Sequence, residues 1–287
     1  MNSFELEPDN FDLELTLTCG QTFCWNRIDG ELYGEGGSRF YTFRRGEPVI
    51  VEDQGDSLFV QTELSPLKVR KALGLHRDLE EIFSQFPEDE KLWKAMEEFW
   101  GLRVVQDEFF PCLISYLLSP QMRIPRIKKM HNEIARRFGE EVEVEGEKLL
   151  RFPGRDELSG VSEQELRDIG VGYRAKYVVE TLDILGNGFD ETDLEEMDYF
   201  EAREHLKKLY GVGDKVADCV LLFSKGFHEA PPLDTWARKA LQQHYPELHS
   251  EDYDEAVENI HSRFGDHSGY AVEYLFHAAR QGVLEVD

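Results

Sequence analysis

The 287-residue chain is poor in cysteine and in basic charge, and it has no long apolar run. Its four cysteines, Cys19, Cys24, Cys112 and Cys219, form no Cys-x-x-Cys pair. That excludes a disulfide scaffold and a four-cysteine zinc or iron–sulfur site, so no metal and no cofactor is expected. Reduced and mostly buried thiols are the ordinary expectation. No apolar stretch is long enough to cross a bilayer, and no membrane contact is expected. The opening residues, MNSFELEPDN, lack the basic-then-apolar order of a secretory signal. A soluble, cytoplasmic protein is expected.

Basic charge is the other scarcity. Lys and Arg total 32 against 58 Asp and Glu, a net charge of −26. Phosphate contact wants a basic surface, so the balance by itself argues against nucleic acid. It equally fits a chain that works in molar salt, where the Debye length is about 3 Å and acidic surfaces stay soluble. Composition does not choose between the two.

The chain is long enough for one large domain or two ordinary ones. Residues 11–61 read as strands. LELTLTC (13–19) alternates apolar and polar, and TFCWN, ELYGEG, RFYTFRR and SLFVQTEL follow between Gly, Asp and Pro turns. From Ser65 apolar residues recur at three and four, and several such stretches end in glycine. The expected class is α+β: an N-terminal antiparallel β-sheet domain over 1–100, then an all-helical domain over 101–287. The acidic stretches EEVEVEGEK (140–148) and DETDLEEMD (190–198) read as solvated loops.

Residues 201–225, EAREHLKKLY-GVG-DKVADCVLLFSK, read as helix, glycine hairpin, helix. Gly211 and Gly213 allow a tight turn and close approach of a ligand. The free N–H groups opening the second helix can meet a phosphate whatever the net charge. An ordinary tight turn between helices fits the same letters. Lys215, Cys219 and Leu222 share one stripe of that helix. A lysine at the margin of a buried surface, near the positive end of a helix, is placed to react as a neutral amine, the form that makes Schiff bases. A solvent-seeking lysine fits as well. Asp234, after two prolines and a leucine, reads as a helix N-cap. It is also a fixed carboxylate able to stabilise positive charge on a sugar.

Together these residues resemble the HhH-GPD superfamily of DNA glycosylases, and within it the eukaryotic-like 8-oxoguanine branch. GVGDKVADC is similar to that branch's hairpin and helix, CGQTFCW (19–25) to its N-terminal motif, and IGVGYRAKYV (169–178) and GDHSGYAVEYLF (265–276) to two more signatures. The matches run in order along nearly the whole chain. The resemblance implies a bifunctional glycosylase and abasic-site lyase in base excision repair. Its partner would be duplex DNA with 8-oxoguanine opposite cytosine, and the protein a monomer. Lys215 matches the nucleophile and Asp234 the catalytic aspartate. Cys219 and Phe276 match the residues that sandwich the extruded base. Gly20 matches the glycine whose carbonyl accepts N7–H of 8-oxoguanine, a proton that guanine lacks. Tyr173 and Arg174 match the wedge and one cytosine reader, and Arg126 the other.

The chain departs from the pattern in three places. Gln121 stands at the gap-filling position usually held by asparagine. Val272 stands where a glutamine often reads the base, and valine offers no hydrogen bond. Glu273, one residue on, lies about 100° further round a helix and is expected to be a poor substitute. Trp236 replaces a phosphate-contacting histidine. A local basic groove is expected from Arg123, Arg126, Lys128, Lys129, Arg174, Lys176, Lys207, Lys208 and Lys215. An alkylated-purine glycosylase of the same superfamily, and a non-catalytic helix–hairpin–helix module, are the alternatives.

Overall fold

The structure, a computed structural model, describes residues 1–286. Five strands form an antiparallel sheet: β1 (Ser3–Leu6), β2 (Asn26–Arg27), β3 (Arg39–Arg44), β4 (Glu47–Asp53) and β5 (Leu58–Gln61), in the order β1-β5-β4-β3-β2. Period-two patterning sets its faces. Phe40, Val49, Val51 and Val60 point to one side and are buried against Leu13, Leu17, Trp25, Val69 and Leu73. Tyr41 and Ile50 point to the other.

The local structure differs from the reading of the sequence in four stretches. TFCWN (22–26) is irregular as far as Asn26, where β2 begins. Leu13–Thr18 is a helix, α1, not a strand. Asp12 caps it, accepting Leu15 N–H at 2.8 Å, and Leu13, Thr16 and Leu17 are buried at helical spacing. The letters fit both periods, and the cap decides. The acidic stretch at 140–148 is a β-hairpin rather than a loop: β6 (Glu140–Val144) pairs with β7 (Glu147–Arg151). Its inward Val144 and Leu149 cover Tyr41 and Ile50, while its glutamates face out. ELYGEG is also not a strand but a turn, closed by a Gly30–Gly36 bridge. DETDLEEMD is a loop holding one short 3₁₀ turn, Asp193–Glu195.

The helices are α2 (Pro66–Ala72), α3 (Leu79–Ser84), α4 (Glu90–Glu98), α5 (Phe109–Leu117), α6 (Ile124–Phe138), α7 (Arg155–Leu158), α8 (Glu163–Asp168), α9 (Ala175–Gly186), α10 (Tyr199–Leu206), α11 (Asp214–Val220), α12 (Thr235–His244), α13 (Tyr253–Phe264) and α14 (Ser268–Gln281). Leu79, Ile82, Phe83, Leu92 and Met96 pack into the helical core, whereas Val69, Leu73 and Leu75 belong to the sheet's core. Cys19, Phe23 and Cys24 already join the helical core, and Val105 returns to the sheet's, so the two cores interleave along the chain. Among the described residues no helix is long and apolar enough to cross a membrane.

Two helices, α11 and α14, bring Lys215, Cys219, Val272 and Phe276 to the wall of one cavity. α11 widens into a π turn over Leu221–Lys225 that ends at Gly226. α14 is buried almost all round: every residue from Ser268 to Ala279 except Phe276 is inside. A side chain at Gly269 would meet the carbonyl oxygens of Ala230 and His228 at 2.5 and 2.7 Å, so α14 starts hard against that loop.

Candidate active site

α11 opens onto a cavity of about 980 Å³ whose wall includes Gly20, Lys215, Cys219, Asp234, Val272 and Phe276. Residues scattered across the sequence thus share one space. The hairpin makes this possible. Gly211 has φ +86°, and a Cβ there would meet the Tyr177 ring at 2.6 Å. Gly213 is extended (φ −99°) with open space about it. No side chain caps α11, and Asp214 in its first turn is paired with Lys207 at 2.6 Å.

Lys215 is half-buried and points into the cavity. Its Nζ lies 3.4 Å from Ser119 Oγ and 5.1 Å from the centre of the Tyr116 ring. Among the described residues no carboxylate lies within ion-pair distance of it. Asp234 caps α12, its Oδ1 accepting Ala237 N–H at 2.8 Å. Burial raises the Asp234 carboxyl above the usual range, opposed by the Ala237 N–H and by the charge of Lys215. Burial likewise pushes the Cys219 thiol up to about 12, so it is an uncharged wall.

Gly20 (φ +118°) faces the cavity because the residue after it is pinned. The Gln21 amide donates to the carbonyls of Thr16 (2.9 Å) and Arg103 (2.6 Å) and accepts Val105 N–H (3.0 Å). Thr22 Oγ1 donates to Asp107 at 2.7 Å, and Trp25 is fully buried. The CGQTFCW stretch is therefore a brace that presents one backbone unit. A Cβ at Gly20 would meet Ile124 Cδ1 at 2.6 Å. Arg280 donates to the Cys19 carbonyl and holds the same turn from the α14 side.

The remaining expected contacts stand at or beyond the mouth. Gln121 lines the rim with φ +56°, a left-handed conformation that a non-glycine residue adopts at a cost of about 1–3 kcal/mol. Tyr173, Arg126 and Trp236 are exposed and outside the cavity wall. Arg126 donates to Gly170 O at 3.1 Å. Arg174 is buried, contrary to its expected place in an exposed basic groove. Its guanidinium is turned onto the Pro120 carbonyl and lies 4.3 Å from the Tyr173 ring. Lys128 departs further: it is buried and donates to the carbonyls of Phe23 and Trp25, both at 2.7 Å, inside the brace. Lys207 is held by Glu204 and Asp214. Arg123, Arg126, Lys129 and Lys176 keep exposed positions.

Four wall residues carry no signal of their role in the sequence: Tyr116, Ser119, Tyr253 and Glu273. Tyr116 and Ser119 sit in the apolar stretch FFPCLISYLLS, which reads as plain core. Helical geometry alone sets Glu273 aside, yet it lines the cavity beside Val272, because α14 is enclosed and neighbouring faces of it both meet the space.

Residues 3–113 match the N-terminal domain family of 8-oxoguanine DNA glycosylases. The chain is 32% identical to the "Probable N-glycosylase/DNA lyase" of Methanothermobacter thermautotrophicus over 96% of both chains. It is 31% identical to the N-glycosylase/DNA lyase OGG1 of Arabidopsis thaliana over 95% of this chain and 78% of that one. Its fold is similar to that of the Clostridium acetobutylicum 8-oxoguanine glycosylase/lyase, solved with double-stranded DNA containing cytosine opposite 8-oxoguanine. That likeness has a TM-score of 0.84 at 29% identity and covers 99% of each chain. Relatives 31–32% identical over 95–96% of this chain, together with the match to the N-terminal domain family, show that the chain belongs to the N-glycosylase/DNA lyase family of 8-oxoguanine DNA glycosylases.

Proposed function

We propose that the chain excises 8-oxoguanine opposite cytosine from duplex DNA and then cleaves the strand, acting as a monomer. The observation that carries the reading is the shared cavity of Lys215 and Asp234. An extruded nucleotide enters it with its base between Cys219 and Phe276, and the Gly20 carbonyl accepts N7–H. The Lys215 amine donates its lone pair to C1′. The bond from C1′ to the base breaks, and its electrons leave with the base, which takes up the proton that the alkylated Lys215 nitrogen gives up. The Asp234 carboxylate offsets the positive charge that develops on the sugar. Opening of the sugar ring, with the C1′–O4′ electrons passing to oxygen, gives the Schiff base. Loss of a C2′ proton then expels the 3′ phosphate, and water releases the amine. Tyr173, Arg174, Arg126 and Gln121 occupy the gap and meet the orphaned cytosine. The hairpin at Gly211 and Gly213, with Trp236, meets the phosphates.

Borohydride trapping on an 8-oxoguanine·cytosine duplex tests this. A covalent adduct is expected with the wild-type protein and none with Lys215→Gln. Base release without an adduct would point to the alkylated-purine type of chemistry. Binding without release would reduce the protein to a non-catalytic module.

A further inference from the structure

Glu273 is a buried carboxyl in the cavity wall that neither the base-release step nor the strand-cleavage step uses. It is 5% exposed, and Cys19 donates its thiol proton to Oε1 at 3.4 Å. Among the described residues no hydrogen bond reaches Oε2. Burial raises this carboxyl to about 7. The groups around it are Cys19, Tyr33, Tyr116 of α5, Lys215 of α11, Asp234 at the start of α12, and Tyr274 and Arg280 of α14 itself. Lys215 and Arg280 favour its ionised form, and Asp234 opposes it. Val272, its neighbour on the wall, has no polar side-chain atom.

The chemistry of this carboxyl narrows what it can meet. Above about pH 7 it is ionised and only accepts, and because each oxygen has two lone-pair sites, Oε1 beside the Cys19 thiol and the open Oε2 can together take two parallel donors in one plane. A guanine-type base carries such a pair on its Watson–Crick edge, N1–H beside the 2-amino N–H. Adenine carries an acceptor at N1 and a donor at N6, which leaves one carboxylate oxygen facing a lone pair. Loss of the 2-amino group leaves a hypoxanthine-type base with one donor of the two. We propose that Glu273 reads the Watson–Crick edge of the extruded purine, accepting its N1–H and 2-amino N–H, and so restricts the pocket to guanine-type lesions, a role that rests on the proposed excision of 8-oxoguanine.

Single-turnover excision at about pH 8.5, where the carboxyl is ionised, tests it on three duplexes, with 8-oxoguanine, 8-oxohypoxanthine or 8-oxoadenine opposite cytosine. Wild-type protein is expected to excise 8-oxohypoxanthine roughly 10–100-fold more slowly than 8-oxoguanine, because a charge-assisted hydrogen bond is lost, and 8-oxoadenine more slowly still. In Glu273→Gln, excision of 8-oxoguanine should fall by a similar factor while that of 8-oxohypoxanthine changes by at most about threefold, so the preference collapses. Equal wild-type rates on 8-oxoguanine and 8-oxohypoxanthine would overturn the inference and leave the lesion class standing. So would an unchanged preference in a Glu273→Gln protein whose melting curve matches wild type. Failure of the wild-type protein to excise any of the three would overturn the lesion class and the inference together. The wild-type comparison requires no variant to fold.

Discussion

A buried lysine amine bridges two carbonyls of the segment that carries Gly20. Lys128 donates to the carbonyls of Phe23 and Trp25, and burial lowers its pKa to about 7, against about 10.4 in an unfolded chain. Below about pH 7 both states bind the proton, and the full desolvation penalty weighs against folding. Between about 7 and 10 the unfolded chain holds a proton that the folded one does not, so stability rises with pH. Urea unfolding at pH 7 and pH 9.5 should therefore show wild type gaining about 3 kcal/mol relative to Lys128→Met. Parallel profiles for the two proteins would sink this assignment. The sequence shows Lys128 only as one cation among several in RIPRIKKM. Nothing in the spacing says that this one lies beside two carbonyls more than 100 residues away in the chain. Lys215 and Asp234 are legible for the opposite reason: each follows a local signal, a glycine hairpin or a proline-led helix start, that fixes where its side chain begins.

At the level of elements, α11 and the strap before α12 must keep register if amine and carboxylate are to share one cavity. Tyr253, at the start of α13, ties them. Its hydroxyl donates to Asp218 at 2.6 Å and accepts Leu233 N–H at 3.2 Å. Asp218 lies three residues beyond Lys215, and Leu233 is next to Asp234. Asp218 also accepts from Tyr199 at 2.8 Å, and burial raises its carboxyl to about 7. Tyr253→Phe removes a donor from that buried carboxyl and should cost about 1–3 kcal/mol in unfolding free energy. It should also lower the rate of adduct formation more than it weakens binding of lesion-containing DNA, because the tie sets geometry and not contact with the base. An adduct rate equal to wild type would show that the register is held elsewhere. The sheet-then-helices order is readable from the change of period near Ser65. The details that mislead, α1 and the β6–β7 hairpin, are short, and in each a feature outside the periodicity decides: a capping aspartate for α1, and a partner face at Tyr41 and Ile50 for the hairpin.

For the molecule as a whole, a net charge of −26 must be reconciled with DNA. Arg123, Arg126, Lys129 and Lys176 keep exposed positions on the segments that carry Gln121 and Tyr173, and many of the carboxylates lie on other outward faces, such as those of β6 and β7. Self-repulsion of that magnitude is relieved by screening. The melting temperature should therefore rise between about 0.02 and 1 M KCl, while affinity for undamaged duplex falls over the same range. A melting temperature flat across it would mean that the acids are already neutralised locally. α14 carries a consequence of its own. The helix that supplies Val272, Glu273 and Phe276 is also the middle of the structure, clamped at Gly269 and enclosed nearly everywhere else. Inserting or deleting one residue in it would swing all three side chains by about 100° and unseat the interior in the same step. Descendants of this chain can therefore change their taste in damaged bases only by exchanging one side chain for another of similar bulk, never by shifting the frame that displays them.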